Sequence, residues 1–143
     1  MTEKFDLVFN SGVMEHISNP QKAIKEFKKI LQPDGIIFFA KIGIHDHRFN
    51  NMSYTHNFTP WSFLKYTDDE WSKFGNNSYH QNRCRGIDFI NFCETENFRL
   101  QYYSSTKYDF LKKDEIKSFS KKFKNYTYDQ LIEMDVTMIA QKN

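Results

Sequence analysis

Residues 5–40 constrain the fold of this chain most, because two apolar runs flank one long amphipathic segment. Leu7-Val8-Phe9 and Ile36-Ile37-Phe38-Phe39-Ala40 lack polar alternation, which is typical of strands buried on both faces of a parallel sheet. Between them, Ala23, Ile24, Phe27, Ile30 and Leu31 recur at helical spacing. A crossover of this length joins parallel strands with a right-handed connection. The segment therefore predicts an α/β fold.

Signals at both ends set the limits of this first helix. Its start lies at Ser18-Asn19-Pro20-Gln21, where two caps are possible. Asn19 could cap the helix with Pro20 in the first helical position, or Ser18 could cap it with Gln21 reaching back. Pro33 then stops the helix, and Asp34-Gly35 predicts a turn before the second strand.

The rest of the chain reads as a polar insertion followed by further helices and strands. Residues 43–85 are rich in His, Asn and aromatic residues, and a loop of this length is typical of a lid or substrate wall. Two short helices fit inside it, one from Thr59-Pro60-Trp61 and one from the capping box of Thr67 and Glu70. The later elements are a helix over Gly86–Glu96, a left-handed Asn97, a strand over Phe98–Tyr103, a helix over Asp114–Lys124, a helical turn within Thr127–Met134 and a strand over Val136–Ala140.

Composition excludes several classes of protein. A net charge of +2 is too balanced to indicate a nucleic-acid partner, and no apolar run approaches the roughly 18 residues that span a bilayer. Cys84 and Cys93 lack metal-ligand spacing, and the first residues do not form a secretory signal. We therefore expect a cytoplasmic protein with reduced thiols and no membrane or nucleic-acid partner. An RNA-binding module that uses the lysines of Asp114–Lys124 remains an alternative.

Three motifs in order carry a family resemblance. Phe5-Asp6-Leu7-Val8 leads into Glu15-His16-Ile17, Leu31-Gln32-Pro33-Asp34-Gly35 precedes the second strand, and Tyr79-His80-Gln81-Asn82-Arg83-Cys84-Arg85 closes the insertion. Together they resemble the class I S-adenosylmethionine-dependent methyltransferases, and more closely a large bacterial group, methyltransferase type 11. The resemblance covers essentially the whole chain but only the C-terminal half of the family's domain.

The resemblance implies a Rossmann-like methyltransferase sheet. Two parallel strands with a crossover helix would be followed by a helix and a terminal strand pair that includes an antiparallel strand, with a helical lid inserted. It also implies a single partial domain over residues 1–143, made of a strand-helix-strand unit (1–42), the lid insertion (43–85) and the C-terminal helix and strands (86–143).

The implied cofactor is S-adenosylmethionine. The resemblance places its binding on Asn10, Ser11 and Gly12, with Glu15 and His16 nearby, and small polar residues at the carboxyl end of a strand do leave room for a ligand. The alternative is that residues 10–12 form only a turn. The family's glycine-rich loop and ribose-binding acidic residue have no counterpart here, so we expect a fragment that is inactive alone. It would pair with a missing N-terminal half or self-associate through an exposed strand edge.

His45-Asp46-His47 directly follows the second strand and faces the same crevice. Methyl transfer to a hydroxyl or amine benefits from a general base near neutral pH, which makes His47 or His45 the candidate base and Asp46 its orienting partner. One alternative is a polar surface loop. Another is a metal site formed by these histidines with His56, although no fixed ligand set is visible and we expect no metal.

Tyr79, Asn82, Arg83 and Arg85 are the candidate substrate-binding residues, since arginine can clamp a carboxylate or phosphate on an acceptor. Alternatively, they fix the lid to the rest of the domain. The sequence therefore predicts S-adenosylmethionine-dependent methyl transfer to a small-molecule or glycan acceptor. The alternative function is a catalytically incompetent remnant that acts as a partner-binding subunit.

Overall fold

Four strands form one mixed sheet in the order β1-β2-β4-β3. The computed structural model describes residues 3–50, 58–74 and 80–143. The strands are β1 (Phe5–Ser11), β2 (Leu31–Gly43), β3 (Phe98–Lys107) and β4 (Glu133–Lys142). β1 pairs with β2 in parallel, whereas β4 is antiparallel to both β2 and β3. The predicted α/β fold, with a parallel first pair and an antiparallel closing strand, is confirmed.

The first helix, α1 (Pro20–Ile30), begins where the sequence predicts. The Asn19 side chain accepts a hydrogen bond from the Lys22 backbone N–H at 2.9 Å, and Pro20 occupies the first turn, which selects Asn19 as the cap. The predicted turn at Asp34-Gly35 is a kink inside β2, because β2 already begins at Leu31. Asp34 has a φ of 61°, a left-handed conformation that an aspartate can tolerate.

Among the described residues, five further helices lie after β2, and three short 3-10 turns are also present. The helices are α2 (His47–Asn50), α3 (Asp68–Phe74), α4 (Gly86–Thr95), α5 (Lys113–Lys117) and α6 (Tyr128–Leu131), and the turns are Met14–His16, Ser62–Lys65 and Lys121–Asn125. The predicted Thr67–Glu70 capping box is confirmed by bonds of 2.7 Å and 3.2 Å, and Asn97 has the predicted left-handed φ. Within the described ranges, none of the helices has the length and apolar character needed to cross a bilayer.

The prediction of one continuous helix over Asp114–Lys124 is wrong. α5 ends at Lys117, and a separate 3-10 turn begins at Lys121. Between them the Ser120 N–H donates to the carbonyl of Leu64 at 2.9 Å, so the backbone bonds to the insertion instead of continuing the helix. Local serine hydrogen bonding favours such a break, and the Ser118 hydroxyl donates back to the Glu115 carbonyl.

One hydrophobic core lies between the sheet and the two longer helices, α1 and α4. Alternate residues of β2 and β4 point toward these helices, and they pack with Ile24 of α1 and Phe89 of α4. The buried members of this core are Met14, Ile24, Leu31, Ile37, Phe39, Ile42, Ile44, Phe89, Cys93, Phe98, Val136, Met138 and Ala140.

A second core joins the insertion to the C-terminal part of the chain. Trp61, Phe63 and Leu64 come from the insertion, and their buried partners are Leu111, Phe119, Phe123, Leu131 and Ile132. The Trp61 indole N–H also donates to the Leu131 carbonyl at 2.7 Å. The insertion is therefore anchored by its own packing. The division of the chain into the segments 1–42, 43–85 and 86–143 stays a prediction.

The face of the sheet opposite α1 and α4 is the exposed face. On β1, Phe5, Leu7 and Phe9 are 47%, 52% and 59% exposed. Four apolar side chains form a row across this face, one from each strand. Along the row each residue pairs with the next on the neighbouring strand, in the order Phe9, Phe38, Ile139 and Tyr102. Large apolar residues exposed together on one face are typical of an interaction surface.

Candidate functional site

The carboxyl ends of β1 and β2 lie side by side and form the candidate site. Asn10 and Ser11 are the last residues of β1, and Gly12 follows with a φ of 65° and an N–H that donates to the Lys41 carbonyl at 2.9 Å. A positive φ suits glycine, so the chain turns at Gly12, whereas Asn10 and Ser11 remain in the strand. In an open α/β sheet, ligands bind at this end of the strands.

Asn10 has polar atoms that are buried without a hydrogen-bond partner. Both its amide oxygen and its amide nitrogen are buried and unpaired. Buried side-chain polar atoms normally have partners, so an amide in this state calls for a ligand or a water. By contrast, Ser11 and Gly12 are exposed at the tip of the turn.

Glu15 is the second buried group with a free polar atom. It lies in the turn Met14–His16 and is only 4% exposed. One carboxylate oxygen, Oε1, accepts from the Gly43 N–H at 3.2 Å, which ties the loop after β1 to the end of β2. The other, Oε2, is buried and unpaired. A buried carboxylate with one free oxygen is a binding feature for a donor or a cation.

Three imidazole rings form a row beside this carboxylate, which we call the histidine row: His16, His47 and His45. The ring of His47 lies in the middle, with its centroid 5.1 Å from that of His16 and 5.1 Å from that of His45. The outer rings are held by backbone carbonyls, since His16 Nδ1 lies 2.8 Å from the His80 oxygen and His45 Nδ1 lies 3.1 Å from the Met134 oxygen.

The surroundings of His47 favour the neutral form of its imidazole. Burial lowers its pKa, and the neighbouring His45 and His16 lower it further. Gly43 packs against the ring so closely that a β-carbon at position 43 would lie 2.8 Å from Nε2. The close contact fixes the ring, and the lowered pKa leaves it able to accept a proton.

Asp46 has a different partner from the predicted one. It is fully buried, and Arg48 binds it in a bidentate fashion, with Nε 2.9 Å from Oδ1 and Nη2 2.6 Å from Oδ2. The carboxylate nearest to His45 in an ion-pair geometry is that of Asp135, whose Oδ1 is 3.8 Å from His45 Nδ1. The catalytic roles predicted for His47, His45 and Asp46 stay predictions.

Asn82 connects the insertion to the loop after β1, and Arg83 bonds to other residues of the insertion. The Asn82 amide donates to the carbonyls of Met14 and Ile17 at 2.7 Å and 2.9 Å, which holds the loop after β1. Arg83 is 5% exposed and pairs with Asp68 at 2.5 Å. These contacts agree with the alternative in which the residues fix the lid. Tyr79 lies outside the described residues.

Arg85 is fully buried at the start of α4. Its guanidinium donates to four backbone carbonyls, those of Ile44, Gln130, Leu131 and Glu133. Burial lowers its pKa to about 10. For Arg85 to contact a methyl acceptor directly, its hydrogen bonds to these carbonyls would have to break. The predicted substrate-binding roles of Asn82, Arg83 and Arg85 therefore stay predictions, and the observed contacts are structural.

Gln81 is a site residue that the sequence analysis missed. It is 3% exposed and bridges the site, because its Oε1 accepts from the His47 N–H at 3.2 Å and its Nε2 donates to the His45 carbonyl at 2.5 Å. In the sequence, Gln81 could have been identified from its position inside the Tyr79–Arg85 motif.

Two cavities flank the segment around Gln81. The smaller one, of about 140 Å³, is lined by His47, Arg48, Trp71, Phe74 and Gln81, so it opens beside the histidine row. The larger one, of about 330 Å³, lies toward α4, and its charged groups are paired among themselves, such as Lys122 with Asp68.

A metal site is the remaining alternative for the histidines. Across residues 3–50, 58–74 and 80–143, no group of three or more His, Cys, Asp or Glu side chains could hold a metal ion. His56, the further ligand considered in that alternative, lies outside the described residues.

Comparison with known proteins supports a methyltransferase fold. The sequence model of the family described as "Methyltransferase domain" matches residues 1–39. The chain is 42% identical over 41 residues to the ubiquinone biosynthesis O-methyltransferase of Glaesserella parasuis and 40% identical over 45 residues to the tRNA U34 carboxymethyltransferase of Campylobacter lari. These matches span 29% and 32% of this chain but only 17% and 16% of the relatives.

Solved structures extend the likeness to the whole chain. An S-adenosylmethionine-dependent methyltransferase from Methanosarcina mazei aligns with a TM-score of 0.53 at 14% identity, covering 99% of this chain and 60% of that protein. At this identity the likeness shows the fold alone. The predicted resemblance to class I methyltransferases and the Rossmann-like sheet are confirmed.

Proposed function

We propose that this chain, whose fold is that of the class I S-adenosylmethionine-dependent methyltransferases, supplies part of the active site of such an enzyme. The observation that carries the proposal is the grouping of Asn10, Glu15 and His47 at the carboxyl ends of β1 and β2. Two of them have unpaired buried polar atoms, and the third is an imidazole whose surroundings favour its neutral form. The acceptor we propose is a small molecule or a glycan.

Asn10 and Glu15 are the residues that fit the cofactor. The Asn10 amide offers one donor and one acceptor, and Glu15 offers a negative oxygen. When bound, S-adenosylmethionine supplies an electrophilic methyl group on a positively charged sulfonium. A buried carboxylate with a free oxygen suits a cationic ligand, because an unpaired buried charge is costly. Ser11, Gly12 and His16 would line the same loop.

His47 is the proposed general base. Methyl transfer depends mainly on alignment of the acceptor, and a base then removes the proton of an attacking hydroxyl. The backbone of His47 is held by Gln81 and its ring by Gly43, so the imidazole keeps one position relative to the cofactor loop.

Measurements of S-adenosylmethionine binding and of methyl transfer, made on the complete protein, test this proposal. We expect Glu15→Gln to weaken S-adenosylmethionine binding by about 10- to 100-fold, because a hydrogen bond to a charged group contributes about 1.5–3 kcal/mol. The measurement is isothermal titration together with transfer of a radiolabelled methyl group. Glu115→Gln is the matched control, since that side chain is also largely buried but pairs with Thr59 and Lys65 in the second core region. Absence of cofactor binding by the full protein, or equal affinities of the two variants, would contradict the proposal.

A second candidate function is partner binding through the exposed face of the sheet. The chain spans less than a fifth of the length of the curated relatives it matches and 60% of the Methanosarcina mazei protein. Phe5, Leu7 and Phe9 lie on β1, which pairs only with β2 among the described strands. An apolar strand at an open edge invites pairing with another chain or segment. The proposed partner is a segment or chain that carries the N-terminal half of the family's domain, or a second copy of this chain.

Self-association follows from this exposed face. We expect the isolated chain to form dimers or larger species, and Phe9→Lys to weaken that association at least tenfold, because burial of a phenylalanine contributes about 1.5–3 kcal/mol. Light scattering during size-exclusion chromatography measures the result. Phe110→Lys is the control, since Phe110 is 52% exposed and packs beside Trp61, in the second core. A monodisperse monomer that melts cooperatively would contradict the expectation.

A cytoplasmic location completes the proposal. Cys84 and Cys93 are both free thiols, and burial raises the pKa of each to about 12. Unreactive, reduced cysteines are typical of proteins in a reducing compartment.

A further inference from the structure

The smaller cavity has the size of one six-membered ring. Its volume is about 140 Å³, and it opens beside His47 at the end of β2. A designed apolar cavity of about 150 Å³ in another protein binds benzene, so this volume selects for a single ring.

Aromatic side chains form the wall of this cavity. The ring of Trp71 lies 6.1 Å from that of Phe74 and 6.0 Å from that of Tyr66, while Tyr66 and Phe74 are 4.7 Å apart. Tilted ring contacts at these distances are favourable, so an added planar ring would find partners here.

Arg48 lines the cavity as a cation that is already paired. Its guanidinium carbon lies 5.0 Å from the Trp71 ring centroid and 4.4 Å from that of Phe58. Asp46 holds the guanidinium in a bidentate pair, and the rings of Phe58 and Trp71 lie against it, so the charge of Arg48 is already compensated within the protein. A compensated charge attracts an anion only weakly, so this lining favours a neutral ring.

His47 and Gln81 form the polar end of the cavity. Both line it, and Gln81 holds the His47 backbone at 3.2 Å. The remaining Gln81 donors are used by the carbonyls of Gly43 and His45. The imidazole is therefore the group at this end that can accept a proton from a hydroxyl.

We propose that this cavity binds a single-ring aromatic alcohol, a phenol, as the methyl acceptor, with its ring against Trp71 and Phe74 and its hydroxyl toward His47. This inference rests on the proposed function and names the acceptor class for the same site. The phenolic oxygen would bond to the methyl carbon as the carbon–sulfur bond of the donor breaks, and the donor would leave as the neutral thioether. The phenolic proton would pass to His47, so that the positive charge of the donor ends on the imidazolium.

Phenol and cyclohexanol, which have the same size and one hydroxyl each, test the inference without any cofactor. We expect phenol to bind the protein with a Kd of about 1 mM and cyclohexanol at least tenfold more weakly. The two indole N–H signals in a ¹⁵N-correlation spectrum report where phenol binds. Trp71 donates to the Gln81 carbonyl at the cavity, and Trp61 donates to the Leu131 carbonyl away from it. Only the Trp71 signal should shift.

Phe74→Ala and Phe110→Ala form a matched pair of variants. Both side chains are about half exposed, and each packs against one of the two tryptophans. We expect Phe74→Ala to weaken phenol binding at least fivefold and Phe110→Ala to leave it unchanged. Equal binding of the two alcohols, no phenol binding, or an unchanged affinity in Phe74→Ala would overturn the inference. Because no cofactor is present, loss of methyl transfer would not affect this result.

Discussion

Replacing Arg85 by methionine is expected to lower the free energy of unfolding by about 3–5 kcal/mol, since it leaves several buried carbonyls without a donor and each unsatisfied buried polar group costs about 1–3 kcal/mol. Arg85 is fully buried and satisfies carbonyls from the end of β2 and from the α6–β4 connection. The nearby Glu133 carboxylate already has one unpaired buried oxygen. Methionine fills much of the volume but donates no hydrogen bond.

Urea denaturation monitored by circular dichroism measures this loss. Arg99→Met is the matched control, because Arg99 is exposed and bonds to Gln141, and a surface substitution usually changes stability by less than about 0.5 kcal/mol. A decrease below 1 kcal/mol for Arg85→Met would show that the carbonyls find other partners.

Replacing His47 by alanine is expected to lower kcat/KM by about 10²- to 10⁴-fold, the usual contribution of a general base. Binding of S-adenosylmethionine should stay within a factor of three, because the proposed cofactor groups are Asn10 and Glu15. Steady-state methyl transfer and titration of the same full-length variant separate the two effects. His80→Ala is the control, as that exposed side chain lies outside the histidine row.

The pH profile of the wild-type enzyme gives an independent check on His47. Burial and the adjacent His45 and His16 lower its pKa, so its protonation should reduce kcat/KM only below the ordinary histidine value of about 6.5. The sign follows because the neutral form is the base, and a lowered pKa extends that form to lower pH. An acid limb above pH 6.5, or full activity in His47→Ala, would exclude His47 as the base.

The elements that the sequence predicted well depend on local chemistry. Asn19 and Pro20 set the start of α1, Thr67 and Glu70 set the start of α3, and Asn97 adopts the left-handed conformation. Each depends on a side chain that bonds to, or tolerates, its own backbone within a few residues. Such features need no knowledge of the rest of the fold.

The errors arose where distant contacts overrode local preference. The predicted helix over Asp114–Lys124 is interrupted because Ser120 bonds to Leu64, which is 56 positions away in the chain. No helical periodicity contains that information.

The same limit applies to the candidate site. Its histidines could be placed at the end of β2, but the pairing of Asp46 with Arg48 and the cavity between Trp71 and His47 depend on how the insertion folds back. The buried position of Arg85 could not be derived for the same reason. An arginine in a polar segment reads as a surface or ligand-binding residue until its carbonyl partners are known.

The position of β4 within the sheet also affects when the protein can fold during synthesis. β4 lies between β2 and β3, although it follows both in the chain. β1, α1 and β2 can therefore assemble early on the ribosome, whereas β3 has no strand to pair with until residues 133–142 emerge. Until then, the buried faces of β2 and α4 would be exposed, and chaperone contact or aggregation would compete with folding. For this fold, completion of the sheet is a late event set by strand order.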